Sequence, residues 1–302
     1  MAEHLAGHDL SNTSRSPLDP LRQVSVEVLR WSGAAASQAR DELTAEEPLE
    51  LQLAAEGDHP SQTLAVIMRT PGNDAELAAG FLYSEGLIHG LHEMIGFAPG
   101  NDPDGLPSDN VLEVHAAPGV DLAQRLRDEG YSRQFAVNAS CGVCGKNSVA
   151  AACATLPPLP DGVLRLEPAT LSTMPDRLRA GQQVFQYTGG LHAAGLFDSS
   201  GTLLALREDV GRHNAVDKLI GRALLDGELP IDERMLLVSG RLSFEIVLKA
   251  LAAGIPLIAA VSAPSSLAVD LALAGNITLV GFLRGASFNI YTHPWRILHE
   301  GV

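Results

Sequence analysis

The chain carries three short apolar runs in quick succession: Met235-Leu-Leu-Val238, Pro256-Leu-Ile-Ala-Ala-Val261 and Ile277-Thr-Leu-Val-Gly-Phe282. Each run has the length and continuous apolar character of a strand that is buried on both faces. The segments between the runs predict one helix through Glu245 to Ala253 and a second helix that ends near Leu273. Strands that are joined by helices in this order form parallel sheets. The sequence therefore predicts an α/β region with a parallel core sheet that is covered on both faces.

The loops after these runs are rich in hydroxyl groups and carry two arginines. They are Ser239-Gly-Arg241, Ser262-Ala-Pro-Ser-Ser266 and Arg284-Gly-Ala-Ser287. In open α/β sheets, ligands bind beyond the carboxyl ends of the strands, where loops and helix N-termini present free N–H groups to anions. Together the loops suit a phosphate group, although a single arginine at a strand end could equally cap carbonyl groups. We also predict that Ser262 caps the second helix and that Pro264 lies in its first turn.

A polar segment lies between the predicted strand Thr202–Leu206 and a predicted helix from Asn214 to Leu225. Its sequence is Arg207-Glu-Asp-Val-Gly-Arg-His-Asn-Ala-Val-Asp-Lys-Leu-Ile220. Charge runs usually form a solvated face. In this segment, however, four polar residues cluster around one glycine: Asp209, Arg212, His213 and Asn214 around Gly211. Such clustering at a strand-to-helix junction favours a functional site over a solvated surface.

The first part of the chain has the pattern of a small α+β domain. The predicted elements are strands at Val24–Leu29, Pro48–Leu53, Thr63–Met68 and Val111–His115, a helix at Asp74–Glu85 and a loop at Ala98–Asn110. Arg69 and the acidic helix are expected at the surface. The predicted organisation is a disordered polar tail at residues 1–20, an acidic α+β domain at residues 21–130 and an α/β domain at residues 131–302.

The charge of the chain is concentrated in its first part. The 302 residues have a net charge of −15, and residues 1–130 hold 22 acidic residues against 7 basic ones, whereas the remaining residues balance. The balanced second part is the plausible location of a phosphate-bearing ligand, and the absence of a basic stripe argues against nucleic-acid binding. No secretory signal or membrane span is evident, and three cysteines cannot all pair. We therefore expect a soluble cytoplasmic protein.

Two of the three cysteines lie in one glycine-rich motif, Ser140-Cys-Gly-Val-Cys-Gly-Lys146. The glycines allow the backbone to bend, and the lysine favours the thiolate, which is the nucleophilic and metal-binding form. The motif alone is compatible with a redox pair, half of a zinc site, a sulfur-carrying nucleophile, or two cysteines that only pack. The third cysteine, Cys153, lies in an apolar run and is expected to be buried in the core.

Two of these alternatives, the redox pair and the zinc site, find little further support in the sequence. The context of a thioredoxin-like motif is missing around the short strand-like run Arg133–Asn138, and a zinc site would need ligands beyond the single Cys-X-X-Cys. A zinc deaminase would pair the cysteines with an upstream His-X-Glu, but His115 is followed by two alanines. A thiol that carries sulfur is the best-supported chemistry, and no metal site is predicted.

The motifs, in this order and at these distances, resemble the FdhD family, the sulfur carriers that active formate dehydrogenase requires. The matching stretches are Cys141–Lys146, Arg207–Lys218, Ser239–Ser243, Ser262–Pro264 and Tyr291–Pro294, together with Arg69–Gly72 and Gly80–Leu82. The resemblance runs from about Pro48 to Ile297. It implies a second domain with a cytidine-deaminase-like three-layer α/β/α fold, and a tendency to form homodimers.

The resemblance also implies a sulfurtransferase that takes persulfide sulfur from a cysteine desulfurase. The acceptor would be the molybdenum or tungsten of a bis-molybdopterin guanine dinucleotide cofactor that is destined for formate dehydrogenase. Cys141 is expected to carry the persulfide and Cys144 to assist. The expected cofactor-binding residues are Phe282, Leu283, Arg284, Gly285, Ala286 and Ser287, with Arg241, Ser262 and His213 nearby. The alternatives are a dithiol oxidoreductase and a non-catalytic chaperone of the molybdenum cofactor.

Overall fold

The computed structural model describes residues 14–15, 21–54, 61–128 and 149–297 of the chain. These residues form a mixed α/β structure with three sheets. The cysteine motif at 140–146 and the strand-like run at 133–138 lie outside the described residues. Within the described ranges, no helix is both long and apolar enough to cross a membrane.

The first sheet is a long hairpin with a short third strand at its edge. Its strands are β1 (Ser14–Arg15), β2 (Gln23–Ser32) and β3 (Ala35–Thr44). The predicted strand at 24–29 is confirmed within β2, whereas β3 was not predicted. Within the predicted disordered tail, β1 pairs with β2, and the rest of that tail lies outside the described residues. The tip of the hairpin leaves Leu29 and Trp31 each 70% exposed.

The second sheet forms the core of the acidic region. Its elements are β4 (Glu47–Leu53), β5 (Gln62–Arg69), α1 (Asp74–Ser84), β6 (Met94–Asn101), β7 (Pro107–Ala116) and α2 (Leu122–Asp128), and its strand order is β5-β4-β7-β6. The predicted strands and helix are confirmed. The predicted loop at 98–110 is wrong, because most of it extends β6 and β7. Asp102 Oδ1 accepts hydrogen bonds from the amides of Asp104 and Leu106, so the true turn is short.

The third sheet has six strands and contains the three apolar runs. Its region comprises α3 (Val149–Thr155), α4 (Pro168–Gly181), α5 (Phe185–Thr188), β8 (His192–Phe197), β9 (Leu203–Asp209), α6 (Arg212–Leu225), β10 (Met235–Val238), α7 (Phe244–Ala252), β11 (Leu257–Ala260), α8 (Ser266–Ala274), β12 (Thr278–Arg284) and β13 (Ser287–Thr292). The strand order is β13-β12-β11-β10-β8-β9. Strands β10, β11 and β12 are parallel, as predicted, whereas β8 and β13 run antiparallel to their neighbours.

Helices cover both faces of this sheet. Alternate residues of each central strand contribute to two core clusters: Leu236 and Ile258 pack with α6, α7 and α8, while Leu237 and Ala259 pack with α4. Both clusters are almost completely buried. Successive side chains of a strand point to opposite faces of the sheet, so a continuously apolar run packs against helices on both faces. The sheet is therefore the middle layer of a three-layer arrangement.

The predicted cap of α8 is wrong. Ser265, rather than Ser262, accepts a hydrogen bond from the backbone N–H of Ala268, at 3.2 Å, and the helix begins at Ser266. Ser262 still belongs to the strand edge, because its carbonyl accepts the N–H of Phe282 at 3.1 Å. Pro264 forms an isolated bridge with Leu242 and precedes the helix.

Helices α1 and α6 join the acidic region to the six-stranded sheet. They cross so closely that a Cβ atom on Gly80 would lie 1.9 Å from the carbonyl oxygen of Asp217, and a Cβ on Gly221 would lie 1.8 Å from that of Glu76. Only glycine permits such an approach between two helix backbones. Beside the crossing, Asp217 accepts hydrogen bonds from Ser84 at 3.0 Å and from Lys249 at 2.9 Å. The acidic region and the sheet therefore share a buried polar contact.

Candidate functional site

Four strands of the large sheet end at the same edge, which we call the strand-end edge. β9 is antiparallel to β8, and β8 is antiparallel to β10, so the carboxyl end of β9 lies beside those of β10, β11 and β12. His192, the first residue of β8, pairs with Asp209 at this edge. The prediction that the loops after the three apolar runs meet at one edge is confirmed, and the polar segment that starts at Arg207 reaches the same edge.

The polar segment divides into two parts with different surroundings. Asp209 is fully buried, and its carboxylate accepts hydrogen bonds from the amide of Gly211 and the side chain of Asn214, both at 2.8 Å. The same carboxylate accepts from the amide of Thr70 and pairs with buried Lys218 at 2.7 Å. Lys218 also donates to the carbonyl of Thr70 at 2.9 Å. This part of the segment holds the acidic region in place and is not open to a ligand.

Arg69, which precedes Thr70, is buried as well, so its expected surface position is wrong. The side chain is 1% exposed. Its guanidinium donates two hydrogen bonds to the carboxylate of Asp74, each 3.0 Å long. A planar guanidinium matches a carboxylate in this paired way, which fixes the start of α1 against the end of β5.

His213 faces the strand-end edge from the first turn of α6. Its Nε2 lies 3.1 Å from Oγ of Ser243, the residue before α7, and 4.0 Å from Glu245. Burial lowers the pKa of His213 to about 4, and the positive charges of Lys249 and Arg212 act in the same direction. The imidazole is therefore neutral at neutral pH and can donate or accept a hydrogen bond.

Arginines give this edge a positive character, and the imidazole of His192 lies among them. Burial lowers the pKa of His192, and the charges of Arg212 and Arg241 lower it further, against the opposing effect of Asp209. Arg241 is exposed, as is Arg284, whose Nε donates to the carbonyl of Val261 at 3.4 Å. A neutral imidazole among guanidinium groups is suited to an anionic ligand.

The predicted cofactor-binding stretch lies at the end of β12 and in the tight turn to β13. Phe282 has the left-handed φ of 54° and is 40% exposed, which is unusual for a bulky residue. Leu283 is fully buried in the core, so its side chain is not at the surface. Arg284 pairs with Ser287 across Gly285 and Ala286, with Gly285 at a φ of 52°. The surface groups of this stretch are thus Phe282, Arg284 and the turn backbone.

The predicted serines are partly engaged in holding the edge together. Oγ of Ser239 accepts a hydrogen bond from the amide of Ala193 at 2.8 Å, which ties β10 to β8. Ser262 is half-buried and faces the end of β12 through its carbonyl group. Their main effect in the structure is to join neighbouring strands at the point where a ligand would lie.

A cavity of about 460 Å³ opens beside the strand-end edge on the α4 side of the sheet. His192, Ser239 and Val261 line it from the sheet, and Arg179 and Gln182 line it from α4 and the residue that follows. The sequence did not single out Arg179, Gln182 or His192. His192 could have been found from its place at the start of a strand next to the polar segment, whereas nothing in the sequence marks Gln182.

The catalytic candidates Cys141 and Cys144 lie outside the described residues. Cys153 is a half-buried free thiol in α3 that packs against the core cluster around α6 and α7. The described part of the chain contains no group of three His, Cys, Asp or Glu side chains that could hold a metal ion.

Comparisons with known proteins agree with the sequence motifs. Residues 44–298 match the FdhD/NarQ family. The sulfur carrier protein FdhD of Streptomyces avermitilis is 52% identical over 274 residues, covering 89% of this chain and 94% of the relative. The sulfur carrier protein FdhD of Sulfurisphaera tokodaii is 45% identical over 273 residues, covering 90% and 98% respectively.

The fold also has a counterpart of known structure. The crystal structure of a candidate formate dehydrogenase accessory protein from Desulfotalea psychrophila matches with a TM-score of 0.67 and 24% identity, covering 92% of this chain and all of the other. The fold is therefore shared along nearly the whole chain. Given this fold, the family match and relatives of about half identity, the chain belongs to the FdhD/NarQ family.

Proposed function

We propose that this chain is a sulfur carrier that serves formate dehydrogenase. Cys141 accepts sulfur from a cysteine desulfurase as a persulfide, and the sulfur passes to the molybdenum or tungsten of a bis-molybdopterin guanine dinucleotide. The observation that carries the proposal is the family match over residues 44–298, which includes the Cys-X-X-Cys motif. The names of the relatives and the position of the arginines at the strand-end edge agree with it.

The sulfur chemistry needs two thiols and no oxidant. The Cys141 thiolate attacks the outer sulfur of the persulfide on the donor enzyme, the donor S–S bond breaks, and the donor cysteine leaves as a thiolate. Attack of the Cys144 thiolate on the inner sulfur of the Cys141 persulfide then forms a Cys141–Cys144 disulfide and releases the outer sulfur as hydrosulfide toward the metal. A dithiol reductant regenerates the pair. Lys146 favours the thiolate form of both cysteines.

The dinucleotide substrate requires a surface for its phosphates, and the strand-end edge supplies one. Arg241 and Arg284 are exposed there and can donate paired hydrogen bonds to phosphate oxygens. Neutral His213 and the turn of Gly285 and Ala286 offer further donors. In this proposal the six-stranded sheet has the cytidine-deaminase-like arrangement without zinc chemistry, and two copies of the chain enclose the substrate as a homodimer.

Mass spectrometry after incubation with a cysteine desulfurase and cysteine tests the sulfur step. The wild-type chain should gain sulfur on Cys141, Cys141→Ala should gain little, and the matched control Cys153→Ala should behave as wild type. In cells that lack the native carrier, Cys141→Ala should leave formate dehydrogenase inactive. Full formate dehydrogenase activity with Cys141→Ala would sink the proposal.

The same experiments separate the alternatives. A dithiol oxidoreductase would reduce disulfides as a purified dithiol and would gain no sulfur on Cys141 from a desulfurase. A cofactor chaperone would retain activity without either cysteine but would lose it when the strand-end arginines are replaced. Sulfur gained specifically on Cys141 is expected only from a carrier.

A further inference from the structure

Helix α8 is apolar on its exposed side as well as on its buried side. Seven of its nine residues are apolar, and Asp270 is its single charged residue. Ala268 and Leu271 are buried, whereas Leu273 is 59% exposed and Leu267 is 36% exposed. A surface helix normally carries polar residues on the side away from the core, and a helix that is apolar all round is usually covered. The exposed side of α8 therefore has the character of an interface.

Helix α3 continues this apolar surface. It packs against α8, and six of its seven residues are apolar. Val149 packs against the core, whereas Ala150 and Ala154 are exposed. The N–H of Leu159 donates to the carbonyl of Gly275 at 3.0 Å, which ties the chain after α3 to the end of α8. We call the exposed sides of these two neighbouring helices the α3–α8 face. Apolar surface of this kind marks sites of interaction with other proteins.

The α3–α8 face lies away from the acidic region. Helix α8 packs against β12 and β13, at one end of the strand order. The acidic region joins the sheet at the other end, where Arg207 of β9 pairs with Glu76 of α1. The face therefore belongs to the charge-balanced part of the chain, and a partner gains affinity there mainly from burial of apolar surface.

A second copy of the chain is a poor occupant of this face. Asp270 is the central residue of α8, so antiparallel packing of α8 on its own copy would bring the two Asp270 carboxylates together. Like charges that meet across an interface oppose association. A different protein with a basic group opposite Asp270 avoids this repulsion.

The face adjoins the cysteine motif along the chain. Helix α3 begins at Val149, five residues after Cys144 and eight residues after Cys141. An extended chain spans at most about 3.6 Å per residue, so the Cα atoms of Cys144 and Cys141 lie within about 18 Å and about 29 Å of that of Val149. These bounds follow from covalent geometry alone. A protein docked on the α3–α8 face is thus close enough to exchange sulfur with either thiol.

We propose that the α3–α8 face is the docking surface for the protein that supplies sulfur, with Leu267 and Leu273 as its main apolar contacts. The partner presents a cysteine persulfide beside an apolar surface that carries a basic group. Its identity rests on the proposed function, in which a cysteine desulfurase is the donor. The cofactor phosphates contact Arg241 and Arg284 instead, so the donor and the acceptor of sulfur use chemically different surfaces.

Sulfur transfer from two donors tests the docking surface. Leu273→Glu should slow the gain of sulfur on Cys141 from a cysteine desulfurase about tenfold when the donor is below saturation. Glutathione persulfide needs no docking, because the Cys141 thiolate attacks its outer sulfur and glutathione leaves as a thiolate. Transfer from this small donor should be unchanged. The matched control is Leu106→Glu, which changes a leucine that is 63% exposed in the acidic region and should behave as wild type with both donors.

A second variant and a folding control make the test decisive. Leu267→Glu should slow transfer from the desulfurase in the same way as Leu273→Glu. Because Leu273 is mostly exposed, its replacement should leave the melting temperature near that of wild type. Unchanged transfer from the desulfurase in both variants would overturn the proposal. Dissociation of a homodimer by Leu273→Glu in sedimentation experiments would also overturn it, since the face would then join two copies of the chain.

Calorimetric titration with the desulfurase separates this proposal from the proposed function. If Leu273→Glu weakens desulfurase binding but wild-type Cys141 gains no sulfur from either donor, the docking surface stands and the sulfur-carrier proposal fails. If wild type and Leu273→Glu gain sulfur on Cys141 at the same rate, the carrier stands and the docking surface fails. A wild-type chain that does not bind the desulfurase would likewise exclude the docking surface.

Discussion

Replacing Gly221 with alanine tests the close crossing of α1 and α6. The new Cβ would lie 1.8 Å from the carbonyl oxygen of Glu76 and 2.6 Å from the amide nitrogen of Gly80. Carbon atoms in contact normally stay about 3.5 Å or more from their neighbours, so the helices would have to separate by about 1.5 Å. Backbone atoms form the obstruction, and no side-chain rotation can relieve it.

The expected loss of stability combines one stabilising contribution with two destabilising ones. Alanine has the better helix propensity and alone would add about 0.5–1 kcal/mol. Overpacking of a close contact costs about 1–3 kcal/mol. Separation of the helices also disturbs the buried pair of Asp217 and Lys249 next to the crossing, and breaking such a pair costs about 3–5 kcal/mol. With partial disturbance of the pair, we expect a net destabilisation of about 3 kcal/mol.

Thermal unfolding followed by circular dichroism measures this loss. At about 2–4 °C per kcal/mol, the melting temperature of Gly221→Ala should fall by about 6–12 °C. Gly181→Ala is the matched control, because its Cβ would meet only the side-chain ends of Leu206 at 3.0 Å and Leu203 at 3.3 Å, which can move. The control should stay within about 1 kcal/mol of wild type. Equal melting temperatures for the two variants would contradict the close backbone contact between α1 and α6 at Gly221.

Two further predictions concern buried charged and titratable groups. Because His213 has a pKa of about 4 in the folded state and about 6.5 when unfolded, only the unfolded chain takes up its proton between these values. The proton uptake by His213 should therefore lower the free energy of unfolding by about 3 kcal/mol between pH 6.5 and pH 4. In urea titrations at several pH values, His213→Gln should remove this part of the pH dependence. Lys218→Met should destabilise the protein by about 3–5 kcal/mol, since it leaves the buried carboxylate of Asp209 unpaired. Lys218→Met combined with Asp209→Asn should cost less than the sum of the single changes, and strict additivity would contradict the pairing.

The centre of the fold could be predicted because its signal is local. The runs at 235–238, 256–261 and 277–282 are continuously apolar, and each became a buried parallel strand within a few residues of its predicted bounds. Their common direction follows from the intervening helices, so the position of the strand-end edge was predictable as well.

Strand β3 could not be predicted for the opposite reason. Six of its ten residues are polar and seven are exposed, so the segment has no alternating apolar face to detect. It is a strand because every residue pairs with β2 across the hairpin. Composition also misled the prediction at 98–110, where glycine, proline and aspartate occur within strands as well as in the turn.

The candidate site was only partly predictable, because contacts distant in sequence decide which polar residues remain available. Asp209 and Thr70 are 139 residues apart, and Lys218 and Thr70 are 148 apart. No local pattern in the sequence shows that part of the polar segment at 207–220 is buried against the acidic region. Gln182 is the converse case, since its buried amide nitrogen without a hydrogen-bond partner among the described residues is a feature that only the three-dimensional arrangement reveals.

The left-handed backbone at Phe282 has a consequence for any redesign of this chain. A bulky residue in that conformation costs about 1–3 kcal/mol, which glycine would not. A procedure that optimised thermal stability alone would therefore replace Phe282 with glycine at an early step. It would thereby remove an exposed aromatic ring from the end of β12, where the proposed substrate binds. Under the proposed function, stability favours glycine at position 282 whereas substrate binding favours phenylalanine, so a thermostable variant should be selected with substrate binding in the screen.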